Sequence, residues 1–287
     1  MLGGTMAVFD VVLDPATAAE LERREALAFV DGASVYQATT AESGRADRQA
    51  LLALAALEPG VALLDICTGP GWLAVEAAQQ CPGLTVTGVD LSSAMVDLAR
   101  AHARSEGVTA RFAVMNADQL EFADASFDRI MCGWGLMHVP DPVTVLSEMG
   151  RVTRPGGLLA ASVWGPASVT VQGILAEALR EGAQGRAALD YGYVTRLGDE
   201  AVLLDMLERS GWTDPGLQLL QREFVVPEAR MVWTAMTGGT TFGTLVADLD
   251  ERDHDAAYAA FVERCEAFRQ PDGIHVPMSQ VLVTARR

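Results

Sequence analysis

The run Leu63-Leu64-Asp65-Ile66-Cys67-Thr68-Gly69-Pro70-Gly71-Trp72-Leu73-Ala74 constrains this chain more than any other stretch. Residues 61–66 are almost wholly apolar, which predicts a strand covered on both faces, and such strands belong to parallel sheets flanked by helices. Gly69 and Gly71 allow a tight turn and let the backbone come close to a ligand. Residues 73–80 continue as a helix whose first N–H groups have no partner within the helix and face that ligand. An apolar strand feeding a glycine turn and a helix predicts a site for a nucleotide-type cofactor.

Two cofactor chemistries compete for such a turn. Gly69-Pro70-Gly71-Trp72-Leu73-Ala74 fits the dinucleotide fingerprint, and Asp90 follows about 20 residues later, at the end of the strand predicted over 84–89, where a carboxylate takes both ribose hydroxyls. Against a nicotinamide cofactor stands Asp65, inside the end of the first strand. A carboxylate there is costly unless something polar or cationic satisfies it, and a sulfonium amino acid with an ammonium group would do so. Further along, residues 112–118 form a third strand ending in Asn116-Ala117-Asp118. A fourth element runs through Ile130-Met131-Cys132-Gly133-Trp134-Gly135-Leu136-Met137-His138. Arg154-Pro155-Gly156-Gly157 then precedes a strand over 158–164.

This ordered series, over about residues 51–164, resembles the class I S-adenosylmethionine-dependent methyltransferases, and within them the small-molecule branch related to the quinone-biosynthesis C-methyltransferases. The resemblance implies an α/β fold: a Rossmann-like, doubly wound, mostly parallel sheet with helical cap insertions. It also implies S-adenosylmethionine as cofactor. The chain departs from the family pattern at Cys67, which replaces the first motif glycine and is expected to crowd the cofactor. By resemblance, Asp118 accepts the adenine amine and Ala117 offers a backbone N–H to the ring.

Composition narrows the partners. The chain has 287 residues, half of them apolar, a net charge of −17 and no lysine. With no basic stripe to neutralise phosphates, nucleic acid is excluded as a partner, and anionic membrane surfaces are disfavoured. A neutral or cationic small molecule is expected instead. No signal peptide and no membrane-spanning stretch are read, which predicts a cytoplasmic protein. The four cysteines, Cys67, Cys81, Cys132 and Cys265, show no pairing motif and are expected as reduced thiols. No metal is implied, and the sequence leaves the oligomeric state open, a homodimer among the options.

Three stretches are expected to form one compact domain: an N-terminal helical cap over 1–60, with helices over 15–28 and 47–57; a cofactor-binding core over 61–164; and completion of the sheet over 165–287. The last contains cap insertions at about 165–198 and 227–273. Residues 217–226 and 281–286 predict strands, while 171–181, 199–210, 228–236 and 253–270 predict helices. The glycine and threonine run 237–244 separates the last two helices.

Ligands of doubly wound sheets bind beyond the carboxyl ends of the strands. Asp65, Asp90, Asn116, Ala117, Asp118, Cys132 and Trp134 fall at such ends and are assigned to the cofactor with Cys67, Gly69 and Gly71. Leu91 and Met95 are placed on either side of the adenine, and Tyr36 closes over the cofactor. His138, just past the fourth strand, is the candidate catalytic base; His254 and His275 are weaker candidates. Met137, Tyr191, Tyr193, Met231, Trp233 and Met236 are expected to line the acceptor pocket. The expected reaction is methyl transfer to an O, C or N atom of a small, specialised metabolite. Cyclisation with the cofactor as scaffold, a nicotinamide oxidoreductase and a non-catalytic cofactor-binding subunit are the alternatives.

Overall fold

The computed structural model of the chain describes residues 12–26, 28–29, 44–182, 191–238 and 240–287. Helices α1 (Pro15–Ala26) and α2 (Arg45–Leu54) precede β1 (Ala62–Ile66), α3 (Trp72–Gln80), β2 (Thr85–Asp90), α4 (Ser93–Ser105), β3 (Arg111–Val114) and β4 (Phe127–Gly133). Then come a 3-10 turn at Leu136–His138, α5 (Pro142–Val152) and β5 (Thr153–Trp164). These strands are short and apolar, and β1, β2, β4 and β5 pair in parallel, as their burial on both faces predicts. Helix starts are marked by their caps. Ser92 accepts from the Met95 N–H at the start of α4, and Asp141 accepts from Val143 and Thr144 ahead of Pro142 in α5.

The second half holds α6 (Val171–Gly182), α7 (Glu200–Arg209), β6 (Thr213–Leu220), β7 (Glu223–Val226), α8 (Ala229–Thr237), α9 (Thr241–Ala247), α10 (Glu251–Glu266), β8 (Arg269–Gln270), β9 (Gly273–Pro277) and β10 (Gln280–Arg286). The main sheet has seven strands in the order β3-β2-β1-β4-β5-β10-β6, with β10 antiparallel to both neighbours. Strand order reverses at β1, which lies between β2 and β4, and the crevice beyond the carboxyl ends of these strands is where the fold binds ligands.

The predicted strand over 217–226 divides in two. β6 joins the main sheet and β7 turns away into a three-stranded sheet, β7-β9-β8, that the sequence did not suggest. The expected helix over 253–270 stops at Glu266, and the run 237–244, expected as a spacer, starts α9 with Thr240 capping the Gly243 N–H. The two insertions share one core. Leu175 and Leu179 of α6, Trp233 of α8, Phe242 of α9, Phe261 of α10 and Ile274 of β9 pack together, and Leu21 of α1 joins them. The N-terminal region is split: α1 packs on this second core, while Leu51 and Leu52 of α2 pack on the main sheet. No helix among the described residues is long and apolar enough to cross a membrane.

Candidate cofactor and acceptor site

Past the end of β1 the chain makes the predicted turn. The Thr68 N–H donates to the Val89 carbonyl at 3.0 Å, joining the turn to β2. Gly69 adopts φ +53°, and a β-carbon there would point into open space, so its backbone is bare toward the ligand side. Its N–H donates to Asp90 Oδ2 at 2.8 Å, while the Ser92 N–H donates to Asp90 Oδ1 at 2.9 Å. One carboxylate therefore fixes the glycine turn and the start of α4 together, and each oxygen keeps a lone pair for a further donor. Burial pushes the Asp90 carboxyl up from its ordinary value, against the two N–H groups that favour its ionised form.

Asp90 opens onto a cavity of about 1190 Å3, its solvent-filled mouth included. Cys67, Gly69, Asp90, Leu91, Met95, Asn116, Ala117, Asp118 and Trp134 all line it, and so does His138. Met95 is buried at its wall while Leu91 is 66 % exposed. The Asn116 side chain accepts from the Asp118 N–H at 3.2 Å, which holds the loop after β3 in shape. Trp134 has φ +53°, an uncommon conformation for a bulky residue, and its buried indole N–H finds no partner.

Several predicted residues lie elsewhere. Asp65 is fully buried beneath the turn and does not line the cavity. Its Oδ2 accepts from the Thr68 hydroxyl at 2.6 Å, so the turn's own side chain supplies the partner that the sequence assigned to a ligand. Asp65 Oδ1 has no hydrogen-bond partner among the described residues, and burial pushes this carboxyl up to about 7. Gly71 also has a role other than ligand contact. With φ +79°, it lets α3 press on α4, where a β-carbon would come within 2.9 Å of the Ala99 β-carbon. Cys132 is buried behind the cavity wall, where its thiol pairs with that of Cys67 and, with burial, pushes the Cys67 thiol well above its ordinary value.

Among the described residues, the expected acceptor residues Met137, Tyr193, Met231, Trp233 and Met236 do not line the cavity. Met137 is fully buried in the main core and Trp233 is buried in the second core, with Met236 partly buried against it. Met231 faces outward from α8, 53 % exposed. Amphipathic packing of α8 accounts for all three, since Met and Trp at helical spacing serve a core as readily as a pocket. Tyr193 is buried, with its hydroxyl donating to Glu25 Oε1 at 3.1 Å. Tyr36 and the Tyr191 side chain lie outside the described residues. His254 sits by Asp255, and His275 lies on β9 between Glu223 and Asp272, away from the cavity.

Sequence reasoning missed the wall opposite Asp90. Glu22 and Glu25 of α1, with Phe29, line the cavity facing the strand ends. Both glutamates belong to the charged face of α1, three residues apart and so on one side of the helix, which resembles an ordinary solvated face. Among the described lining residues, four are acidic (Glu22, Glu25, Asp90 and Asp118), none is arginine, and His138 is the sole basic one.

A methyltransferase domain family matches residues 63–157. Residues 63–157, about a third of the chain, thus carry a methyltransferase domain. Its sequence is 36 % identical over 128 residues to the ubiquinone/menaquinone biosynthesis C-methyltransferase UbiE of Bdellovibrio bacteriovorus, an alignment covering 45 % of this chain and 54 % of that one. The chain thus spans about half the length of the curated relatives it matches. Among solved structures, the fold is similar to a Haemonchus contortus phosphoethanolamine N-methyltransferase 2 bound to phosphomonomethylethanolamine and S-adenosylhomocysteine. The TM-score is 0.61 at 19 % identity, covering 98 % of this chain and 60 % of that one. It is also similar to the [4+2]-cyclase SpnF, with TM-score 0.51 at 22 % identity, covering 84 % and 80 %.

The cavity residues of the methyltransferase domain fit this cofactor. Asp90 keeps a lone pair free on each oxygen, Gly69 leaves its backbone open, and the acidic walls suit a molecule that carries, like S-adenosylmethionine, a sulfonium and an ammonium group. The domain match covers 63–157, so Glu22, Glu25 and Phe29, which also line the cavity, lie outside it.

Proposed function

We propose that the protein transfers a methyl group from S-adenosylmethionine to a small, neutral or cationic organic acceptor, of the kind made in specialised metabolism. The observation that carries this reading is Asp90, bridging the Gly69 and Ser92 N–H groups at the edge of a cavity that also holds Asn116, Ala117 and Asp118. When bound, the cofactor supplies a methyl group already activated for attack, so positioning is the protein's main contribution. Asp90 holds the ribose end, the loop 116–118 holds the base, and Gly69 leaves room for the amino-acid end. Trp134 and Leu91 cover the bound molecule and exclude water. The acceptor enters from the side of α1, between Glu22, Phe29, His138 and Pro140.

The absence of arginine from the described lining supports an acceptor without phosphate or carboxylate groups. An anion there would meet four acidic side chains and no arginine among the described lining residues. The experiment is calorimetric titration with S-adenosylmethionine, S-adenosylhomocysteine and NADH in parallel, followed by mass spectrometry of products from a panel of acceptors. Binding of both sulfur compounds and a product heavier by one methyl group are expected. Binding with product at unchanged mass would replace methyl transfer by cyclisation, and binding of NADH alone would overturn the reading.

A further inference from the structure

His138 is held from three sides. The Arg196 guanidinium donates to the carbonyls before and after it, Met137 O at 2.7 Å and Val139 O at 2.6 Å, fixing the turn that carries the ring. Phe29 meets the imidazole edge to face at 5.5 Å. Imidazole Nδ1 lies 3.0 Å from Glu25 Oε1. That same oxygen accepts from the Thr241 hydroxyl at 2.8 Å and from the Tyr193 hydroxyl at 3.1 Å. Two hydroxyls already donate to this oxygen, which keeps room to accept a further bond from Nδ1. A carboxylate at Nδ1 fixes the proton there and leaves Nε2 with its lone pair free. Nε2 has no hydrogen-bond partner among the described residues, and the ring lines the cavity.

We propose that Glu25 is a positioning residue that holds His138 as a proton acceptor, and that the acceptor molecule presents a weakly acidic O–H, a phenol or an enolised carbonyl. The inference rests on the methyl-transfer reading and narrows it to O-methylation. The acceptor's proton passes to His138 Nε2 as its oxygen forms the new bond to the methyl carbon, and the electron pair of the broken C–S bond leaves with sulfur. The imidazolium then returns its proton to water. Glu25, on the far side of the ring, stabilises the imidazolium while it lasts, as a carboxylate does behind a general-base histidine. A neutral amine carries a free lone pair and needs no such base before attack. The pairing therefore fits a neutral hydroxyl better than a neutral amine.

The tautomer can be read without any turnover. In long-range 1H–15N spectra of the ligand-free protein, with the resonance assigned by His138→Gln, His138 is expected as the Nδ1–H form. Glu25→Ala is expected to move it to the Nε2–H form that free imidazole favours. An unchanged tautomer would overturn the positioning role. Tyr193→Phe and Thr241→Val remove the other two bonds to the same oxygen; they are expected to lower thermal stability and keep the tautomer. Tautomer loss in these two as well would assign Glu25 to holding the cap alone.

Should Glu25→Ala not fold, Glu25→Gln keeps the shape without the charge. Its kcat is expected to fall by about 10²-fold, with KM and cofactor affinity held. An equal fall in cofactor affinity, or none in kcat, would overturn the inference. Matched phenol and aniline acceptors complete the test: methylation of the aniline alone would refute the O–H assignment. Failure of the protein to bind S-adenosylmethionine would instead sink the methyl-transfer reading, whatever the tautomer.

Discussion

At Gly135 a single methyl group would reach two cysteines at once, 2.5 Å from the Cys67 β-carbon and 2.7 Å from Cys132 Sγ. Gly135→Ala is therefore expected to cost about 1–3 kcal/mol through overpacking, read as a lower urea midpoint at constant slope. Cys67 itself adopts φ +54°, a region where the family's glycine is at ease and a β-carbon is strained, so this chain carries a small conformational cost at the floor of its site. Asp90→Ala removes the acceptor of two backbone N–H groups as well as the proposed ribose partner. Cofactor binding should become undetectable by calorimetry while the protein still folds; retained affinity would show that Asp90 only braces the turn. Asp90, Gly69 and the 116–118 loop were legible in the sequence because their spacing along the chain sets their place at the strand ends. Gly71, Asp65 and Cys132 were not, because neighbours far along the chain or beneath the turn decide what each touches. Glu25 shows the limit most clearly: its partners His138, Tyr193 and Thr241 lie 113, 168 and 216 positions away.

Whole elements show the same division. The alternation of strand and helix from β1 to β5 follows from continuous apolar runs and caps, though β3 stops at Val114, short of the expected 118, and β5 starts at Thr153, taking in the Arg154-Pro155-Gly156-Gly157 segment expected to precede it. The small sheet β7-β9-β8 was illegible, since strands of 4, 5 and 2 residues carry too little periodicity to stand out. What pins that sheet is chemical. His275 of β9 bonds Glu223 of β7 through Nδ1 at 2.7 Å and Asp272 through Nε2 at 2.8 Å. These two carboxylates raise the His275 imidazole above its ordinary 6.5. A group whose value rises on folding stabilises fully below its unfolded value and loses that contribution as pH climbs through the folded one. Amide exchange in β7 and β9, corrected for its intrinsic rate, should therefore accelerate from about pH 6 to pH 9, and His275→Gln should remove the dependence. A second anchor is Arg196, which is partly buried and grips the turn around His138. Desolvation lowers its guanidinium to about 10, so it stays charged at neutral pH. Arg196→Met strands the Met137 and Val139 carbonyls. The amides of 136–139 should lose exchange protection before those of β4 do.

Over the whole molecule, a net charge of −17 and four acidic side chains around the cavity create a field that favours cations. S-adenosylmethionine carries one more positive charge than its demethylated product. Raising ionic strength from low salt to about 0.5 M should weaken binding of the methylated form more than that of S-adenosylhomocysteine, because the Debye length shrinks below the width of the site. Equal salt slopes would show that the field does not reach the ligand. The sheet order has a consequence for how the chain is made. β10 lies between β5 and β6, yet it is the last of these strands to leave the ribosome. While residues 165–279 are being synthesised, the long apolar edge of β5 has no neighbour, and β6 has nothing to pair with when it emerges. That open edge invites pairing with other nascent chains, so chaperone protection during translation and the arrival of residues 280–286 govern how much of this protein is recovered folded.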